Sequence, residues 1–422
     1  MIKKATFILL FVLLGSISKA FAQQILIPMD ASQTNHLKAY GIIYNHLKAG
    51  HRAKWLLNYR GGSFIAGTQD SIAQKCRLRN VSYKILSNSA ADAIIHKIEQ
   101  PNVNMAVVPL VKAPKIAVYT PKQSLPWDDA VTLALTYAEV PYTKIWDRGV
   151  LKGELSKFDW LHLHHEDFTG QYGKFWAAYR NQPWYIKQVH DMEALAHSLG
   201  FKKVSEEKKA VARKIKQFVG KGGFLFAMCS GTETLDIALA AQNDDIVPTP
   251  FDGDPPDPNA NKKLDYSKTL AFTNFKVNLD PYAYRHSDID IPNELGKINK
   301  SIDYFTLFQF SAKWDPVPTM LTQDHVSSIK GFYGQTTAFR KNKIKSNVVI
   351  LAETPGRNSV KYLHGNYGKG TFTFYGGHDP EDYTHRVGDP PTDLSLHPNS
   401  PGYRLILNNI LFPAAKPKKR KD

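Results

Sequence analysis

Gly220-Lys221-Gly222-Gly223-Phe224-Leu225-Phe226-Ala227-Met228-Cys229-Ser230-Gly231-Thr232-Glu233-Thr234 is the stretch that decides how this chain is read. A glycine-rich turn, a short apolar run, a cysteine and a helix start follow in order. The apolar run predicts a buried strand that delivers a thiol to a helix N-terminus. Ala227 and Gly231, two positions either side of the cysteine, are the small residues that a sharp strand-to-helix turn needs to hold a nucleophile at its tip. Nearby backbone N–H groups and the positive end of a helix lower a thiol pKa. The pattern makes Cys229 a candidate nucleophile. The N–H of Ser230 would serve a developing oxyanion, with Gly231 beside it on the substrate side.

Working upstream, two helices are expected at about 184–199 and 205–219, leading straight into the Cys229 strand. Before them a restart after Lys112-Ala113-Pro114 gives strands at 115–119, 142–146 and 160–163, with a helix at 128–138. The first part of the chain, residues 23–112, reads as a separate α/β unit. It has strands at 25–29, 53–58, 83–86 and 104–108, and helices at 33–49, 71–79 and 90–99. Arg60-Gly61-Gly62-Ser63 is read there as a turn. Strands alternating with helices imply mostly parallel sheets in both units. Downstream, residues 250–345 look like a loop-rich insertion with short strands. Strands at 347–352, 359–364 and 371–375 then precede a final helix at 402–411, and residues 416–422 form a basic tail.

The last of those strands ends in Gly376-Gly377-His378-Asp379-Pro380-Glu381. In a parallel sheet the carboxyl ends of the strands share one edge, where ligand crevices form. His378 can therefore serve as the base for Cys229, with Asp379 or Glu381 orienting its ring. A third candidate, Leu161-His162-Leu163-His164-His165-Glu166-Asp167, also ends a strand. Alternation sends His162 and His164 to one face. The cluster matches no recognised zinc spacing, so His164, His165 and Glu166 are read as a polar, substrate-contacting wall and no metal is assigned. Asp252-Gly253-Asp254 lacks the later glycine and glutamate of a calcium loop, and is read as a surface loop. Gln33-Thr34-Asn35-His36 is read as helix capping. Arg60-Gly61-Gly62-Ser63 lacks the lysine and spacing of a phosphate-binding loop, and no cofactor is expected.

Composition bounds the setting. Met1-Ile2-Lys3-Lys4, an apolar run to about Ile17 and Ala20-Phe21-Ala22 read as an export signal with cleavage before Gln23. The apolar run is shorter than the ~20 residues of a membrane span, so no span is expected once it is removed, and the product would be periplasmic or secreted. The formal charge of +16 falls by three with Lys3, Lys4 and Lys19. The Lys416–Lys421 tail is read as a solvated, frayed end rather than a nucleic-acid contact. With two cysteines only, a disulfide scaffold is excluded. Whether Cys76 pairs with Cys229 stays open, because pairing depends on a distance in space.

The order of strand, elbow cysteine, helix, and a late strand ending in histidine with a following acid resembles the class I glutamine amidotransferase-like fold, over roughly residues 113–412. The resemblance implies a flavodoxin-like three-layer second unit and a Cys229, His378, Glu381 triad. Ala227 stands where that family has its first elbow glycine, and Glu381 follows the histidine by three residues rather than two. The segments from Ile25 to Asp30, from His36 to Gly41 and from Trp55 to Ser63 resemble exported bacterial proteins labelled asparagine synthetase B. Such synthetases carry an N-terminal cysteine and an S-G-G-x-D-S type ATP loop, where this chain offers Ser230-Gly231-Thr232-Glu233-Thr234.

The expectation is an exported hydrolase that attacks an amide or ester through Cys229. The alternative is a catalytically silent protein of the same fold that binds carbohydrate or cell-envelope material, some of the tryptophans (Trp127, Trp146, Trp160, Trp176, Trp184, Trp314) stacking on sugar. A metal hydrolase built on the cluster from His162 to Asp167 is a third reading.

Overall fold

The computed structural model describes residues 23–121, 129–291, 300–316, 318–418 and 420–421. The expected export signal and Trp127 lie outside them. Strands β1 (Gln23–Ile27), β2 (Ala53–Leu57), β3 (Ser63–Gly67), β4 (Lys84–Ser87) and β5 (Ala106–Leu110) form one sheet in the order β4-β1-β3-β2-β5. Every pairing in it is antiparallel, which corrects the mostly parallel sheet expected for this unit. The cause is local. Gly61 and Gly62 take φ of +71° and +86°, a region that glycine enters without penalty. The chain reverses there, and Ser63–Gly67 runs back beside β2 as the central strand. Asn35 caps the helix His36–Lys48 by accepting the Lys38 N–H at 2.9 Å, as the sequence suggested.

The second sheet holds ten strands. They are β6 (Ile116–Tyr119), β7 (Thr143–Ile145), β8 (Trp160–Leu163), β9 (Phe224–Met228), β10 (Tyr304–Leu307), β11 (Ser328–Lys330), β12 (Phe339–Arg340), β13 (Val349–Glu353), β14 (Ser359–Tyr367) and β15 (Gly370–Tyr375). Half of the sheet, β7-β6-β8-β9-β15, is parallel. From β15 onward, through β14, β13, β10 and β11, neighbours are antiparallel, and β12 pairs with β14. The region 250–345 thus supplies β10, β11 and β12 to the sheet rather than standing apart from it. The chain is α/β, with one antiparallel sheet and one mixed sheet.

Period-two alternation sets the two faces of the larger sheet. Trp160, Phe226 and Met228 pack with Leu405, Leu407 and Ile410 of the helix Pro401–Leu411 and with Leu135 of the helix Ala130–Tyr137. The same core runs on through Tyr40 to Ile25 and Trp55 of the first sheet. On the opposite face Leu161, Leu225 and Phe372 pack with Val211 and Ile215 of the helix Val204–Gly220 and with Leu235 of the helix Ser230–Ala240. Buried Arg404 stitches the two units together, donating to Met29 O at 2.8 Å, to the Tyr40 hydroxyl at 3.1 Å and to Gly61 O.

At Lys416 and Lys421 the basic tail is held against the first unit rather than frayed, which corrects that expectation for these residues. Lys416 N–H donates to Pro109 O at 2.9 Å, and Lys421 Nζ donates to Ile98 O and to Gln100 O, the latter at 3.1 Å. The Ile98 and Gln100 carbonyls belong to the C-terminal end of the helix Asn88–Glu99, where unpaired C=O groups attract a cation.

Candidate functional site

The carboxyl ends of β8, β9 and β15 deliver His164, Cys229 and His378 to one edge of the sheet. β6 and β8 are neighbours while β7 lies outside β6, so strand order reverses here and a crevice forms beyond the strand ends. The elbow and the β8 terminus are in direct contact. Gly231 N–H donates to His164 O at 2.7 Å, and a Cβ on Gly231 would lie 2.6 Å from that oxygen. Only glycine permits this approach. Thr234 Oγ1 donates to Glu166 O at 3.0 Å.

Cys229 sits at the elbow with φ +47° and ψ −139°, a sparsely populated backbone state. Its side chain is sealed, with 2 % exposure. Sγ accepts the Gln335 N–H at 3.3 Å, and the N–H groups of Thr336 and Ser230 also favour the thiolate. Burial outweighs all three and pushes the thiol above its ordinary value. This corrects the expectation that the helix start would lower it: desolvation of the charged form wins. Cys76 and Cys229 are both free and buried.

His378 does not meet an orienting acid among the described residues. Its ring packs edge-on against His164, centroids 4.4 Å apart, and stacks on His385 at 4.2 Å, while both ring nitrogens are buried without a hydrogen-bond partner. Glu381 instead faces His397 Nδ1 at 3.2 Å. Asp379 Oδ1 accepts the Glu381 N–H at 2.9 Å, and Oδ2 accepts the Thr392 hydroxyl at 2.8 Å. A hydrogen-bonded Cys229, His378, acid relay is therefore not formed. Asp379 closes the turn that follows β15, as aspartates commonly do, and its carboxylate is spent there.

The richest grouping is histidine. His162 and His164 share a face, as alternation requires, and both meet Asp129: its Oδ1 lies 3.4 Å from His162 Nε2 and 3.4 Å from His164 Nδ1. The same oxygen caps the helix Ala130–Tyr137 through the N–H groups of Val131 and Thr132. His162 Nδ1 is held by Phe226 O at 3.1 Å. Past the strand end His165 joins the group, 5.3 Å from His164 and 5.8 Å from His378 between ring centroids. Burial lowers His164 to about 4 against the pull of Asp129, and lowers His165 and His378 well below the usual imidazole range. These rings are neutral at neutral pH.

Two acids follow the histidines. Burial raises Glu166 to about 8, aided by Asp129, and its Oε2 accepts the His164 N–H at 2.9 Å. Burial also acts to raise Asp167, but His286 at 3.5 Å and hydrogen bonds from Thr169 reverse the effect and leave it low.

A cavity of about 630 Å³ opens onto this edge. His165, Glu166 and Asp167 line its inner end, and Trp146, Tyr172 and Trp184 its walls. Trp146 is held from below by buried Lys208, whose ammonium lies 4.1 Å from the ring centroid and donates to Asp147 at 2.6 Å. The acids of the loop around Asp252-Gly253-Asp254 lie elsewhere, gathered on the Lys203 ammonium at 3.1 Å from Asp252 and 2.5 Å from Asp254.

The sequence brought Cys229, His378, His164, His165 and Glu166 to one edge. It did not identify Asp129, His385, His286 or the 334–336 loop. Asp129 carried the one usable signal, an aspartate just ahead of a helix; the others sit in irregular segments without periodicity.

No family model matches this chain, and no curated protein matches it. Among solved structures, a cytoplasmic protein from Salmonella typhimurium aligns at 11 % identity over 72 % of this chain and 99 % of its own, with a TM-score of 0.35. A second cytoplasmic protein from Salmonella typhimurium LT2 aligns at 11 % identity over 72 % of this chain and 100 % of its own, with a TM-score of 0.34. A beta-galactosidase from Bacillus circulans sp. alkalophilus aligns at 11 % identity over 63 % of this chain and 29 % of its own, with a TM-score of 0.26. Likenesses at these values assign neither fold nor function. No described helix is long and apolar enough to cross a membrane.

Proposed function

We propose that this is an exported protein whose second unit, residues 113–415, is amidotransferase-like and flavodoxin-like, and that it binds carbohydrate or cell-envelope saccharide at the β6/β8 crevice. The parallel strands, renumbered in chain order, run 2-1-3-4-5, and the elbow geometry of Cys229 supports the same kinship. The single observation that carries the binding reading is the cavity itself. Half-buried Trp146 and Trp184 and buried Tyr172 line it together with Glu166 and Asp167. Apolar ring faces with a few convergent polar groups are what a sugar-sized ligand requires.

The thiol-hydrolase reading has less to stand on. Cys229 is sealed, its sulfur is already a hydrogen-bond acceptor, and among the described residues no acid orients His378.

The reading is tested by calorimetric titration of the mature chain with neutral oligosaccharides and peptidoglycan-derived saccharides. Saturable binding that weakens at least tenfold in Trp184→Ala is expected. Binding that is absent across the panel, or indifferent to Trp184→Ala, rejects it.

A further inference from the structure

The aromatic walls leave unused a constellation at the inner end of the cavity. One ring nitrogen from each of His164, His165 and His378 lie within 4.8 Å of one another. Two donors on a tetrahedral ion, each at ~2.0–2.1 Å, stand about 3.4 Å apart, so small side-chain rotations close the set. The three come from two strand ends, β8 and β15, with β9 between them. Their separation along the chain is why no short motif reveals them.

The polar bookkeeping of the cluster is open. Among the described residues His164 Nε2 and both ring nitrogens of His378 are buried without a hydrogen-bond partner. Buried polar atoms left unpaired are costly and uncommon. The lone pairs of His164 and His378 that have no hydrogen-bond partner are relieved by a cation that both rings can ligate.

We propose that His164, His165 and His378 bind one divalent late first-row transition ion, with zinc as its representative, beside the cavity that His165 lines. Asp129 is the positioning residue. Its carboxylate at 3.4 Å from His164 Nδ1 leaves Nε2 for the ion, the arrangement in which a second carboxylate fixes ring orientation. His165 also lines the cavity, so the ion would be bound next to the space where a ligand enters, and three protein ligands leave a fourth position for water or substrate. The centre departs from the polar-wall reading of the sequence and goes beyond the saccharide reading without depending on it.

Asp129, His162 and His164 form a competing set of the same span. It is the poorer site. His162 Nδ1 is tied to Phe226 O, and Asp129 Oδ1 already accepts two helix N–H groups. The sets share His164, so their unshared members separate them.

The test uses the EDTA-treated mature chain with no saccharide present, titrated with Co²⁺ by visible absorption and with Zn²⁺ by calorimetry. Expected are one ion per chain, ligand-field bands of a four- or five-coordinate ion, and no thiolate charge-transfer band. His378→Gln and His165→Gln should each lose at least a hundredfold in affinity, Asp129→Asn about tenfold, and Cys229→Ser less than twofold. Circular dichroism checks folding, and if His378→Gln does not fold, His165→Gln carries the same comparison. Three results overturn the proposal: no saturable binding, unchanged affinity in a folded His378→Gln chain, or affinity lost in His162→Gln but kept in His378→Gln. Since no saccharide is present, failure here leaves the cavity reading standing. Saccharide binding measured on the metal-free chain fails or succeeds independently.

Discussion

The Cys229 thiol and the histidine cluster end neighbouring strands of one sheet, yet their chemical situations are opposite. The sulfur is closed over by the 334–336 loop, receives a backbone N–H from Gln335 and is held protonated by burial. The histidines along the same edge lack hydrogen-bond partners at His164 Nε2 and His378, and His165 opens to a cavity. A strand end brings a residue to the edge; the segment that crosses over it decides whether the residue is sealed or available. Here the crossing segment comes from the region between 250 and 345, which sequence periodicity described least well.

The largest expected effect lies on the open side of the edge. Lys208→Ala leaves Asp147 and Glu207 as buried carboxyl groups beneath Trp146, and loss of one partner from a buried ion pair costs about 3–5 kcal/mol. Urea unfolding should show that loss together with a weakened saccharide titration. An intact midpoint would mean that the cavity wall does not rest on this lysine.

Acid gives the next effect. Burial holds His36 and His364 to about 3 in the fold, against an unfolded value of about 6.5. The unfolded chain therefore binds more protons between these values, so stability is full above about pH 6.5 and falls as pH drops toward 3. A urea midpoint that stays flat from pH 7 to pH 4 would contradict this.

Gly231→Ala tests whether the sealed and open halves are fixed to each other. Its Cβ would lie 2.6 Å from His164 O, and overpacking of this kind costs about 1–3 kcal/mol. A variant as stable as the parent would show that the elbow and β8 can separate freely. The smallest effect is expected at the thiol. Cys229→Ala should cost about 1 kcal/mol for the buried sulfur and leave ligand titrations unchanged. Native Cys229 should react with iodoacetamide far more slowly than the same chain in urea; equal rates would put the sulfur in the open class.

Much of the edge was legible because its signals are local. A glycine turn, five apolar residues and a small-residue elbow define β9 and the helix that begins at Ser230, and the Gly-Gly-His ending defines β15. Alternation placed His162 and His164 on one face, where Asp129 meets both. The unread parts depend on distant chain. The turn read at Arg60-Gly61-Gly62-Ser63 leaves residues 64–67 without an element, which hides the hairpin and with it the antiparallel first sheet. Glu381 and Asp379 stand near His378 in sequence, but their hydrogen bonds go to His397 and to the turn itself.

Local sequence places Cys229, His164, His165 and His378 at the carboxyl edge of the second sheet, because strand ends follow from apolar periodicity and turn chemistry over a few residues. Their chemical state there is set by the fold. Burial, the approach of the 334–336 loop to Cys229 and the convergence of His164, His165 and His378 arise from contacts across more than a hundred positions of chain. Desolvation and ligand geometry depend on those contacts, and no local pattern encodes them.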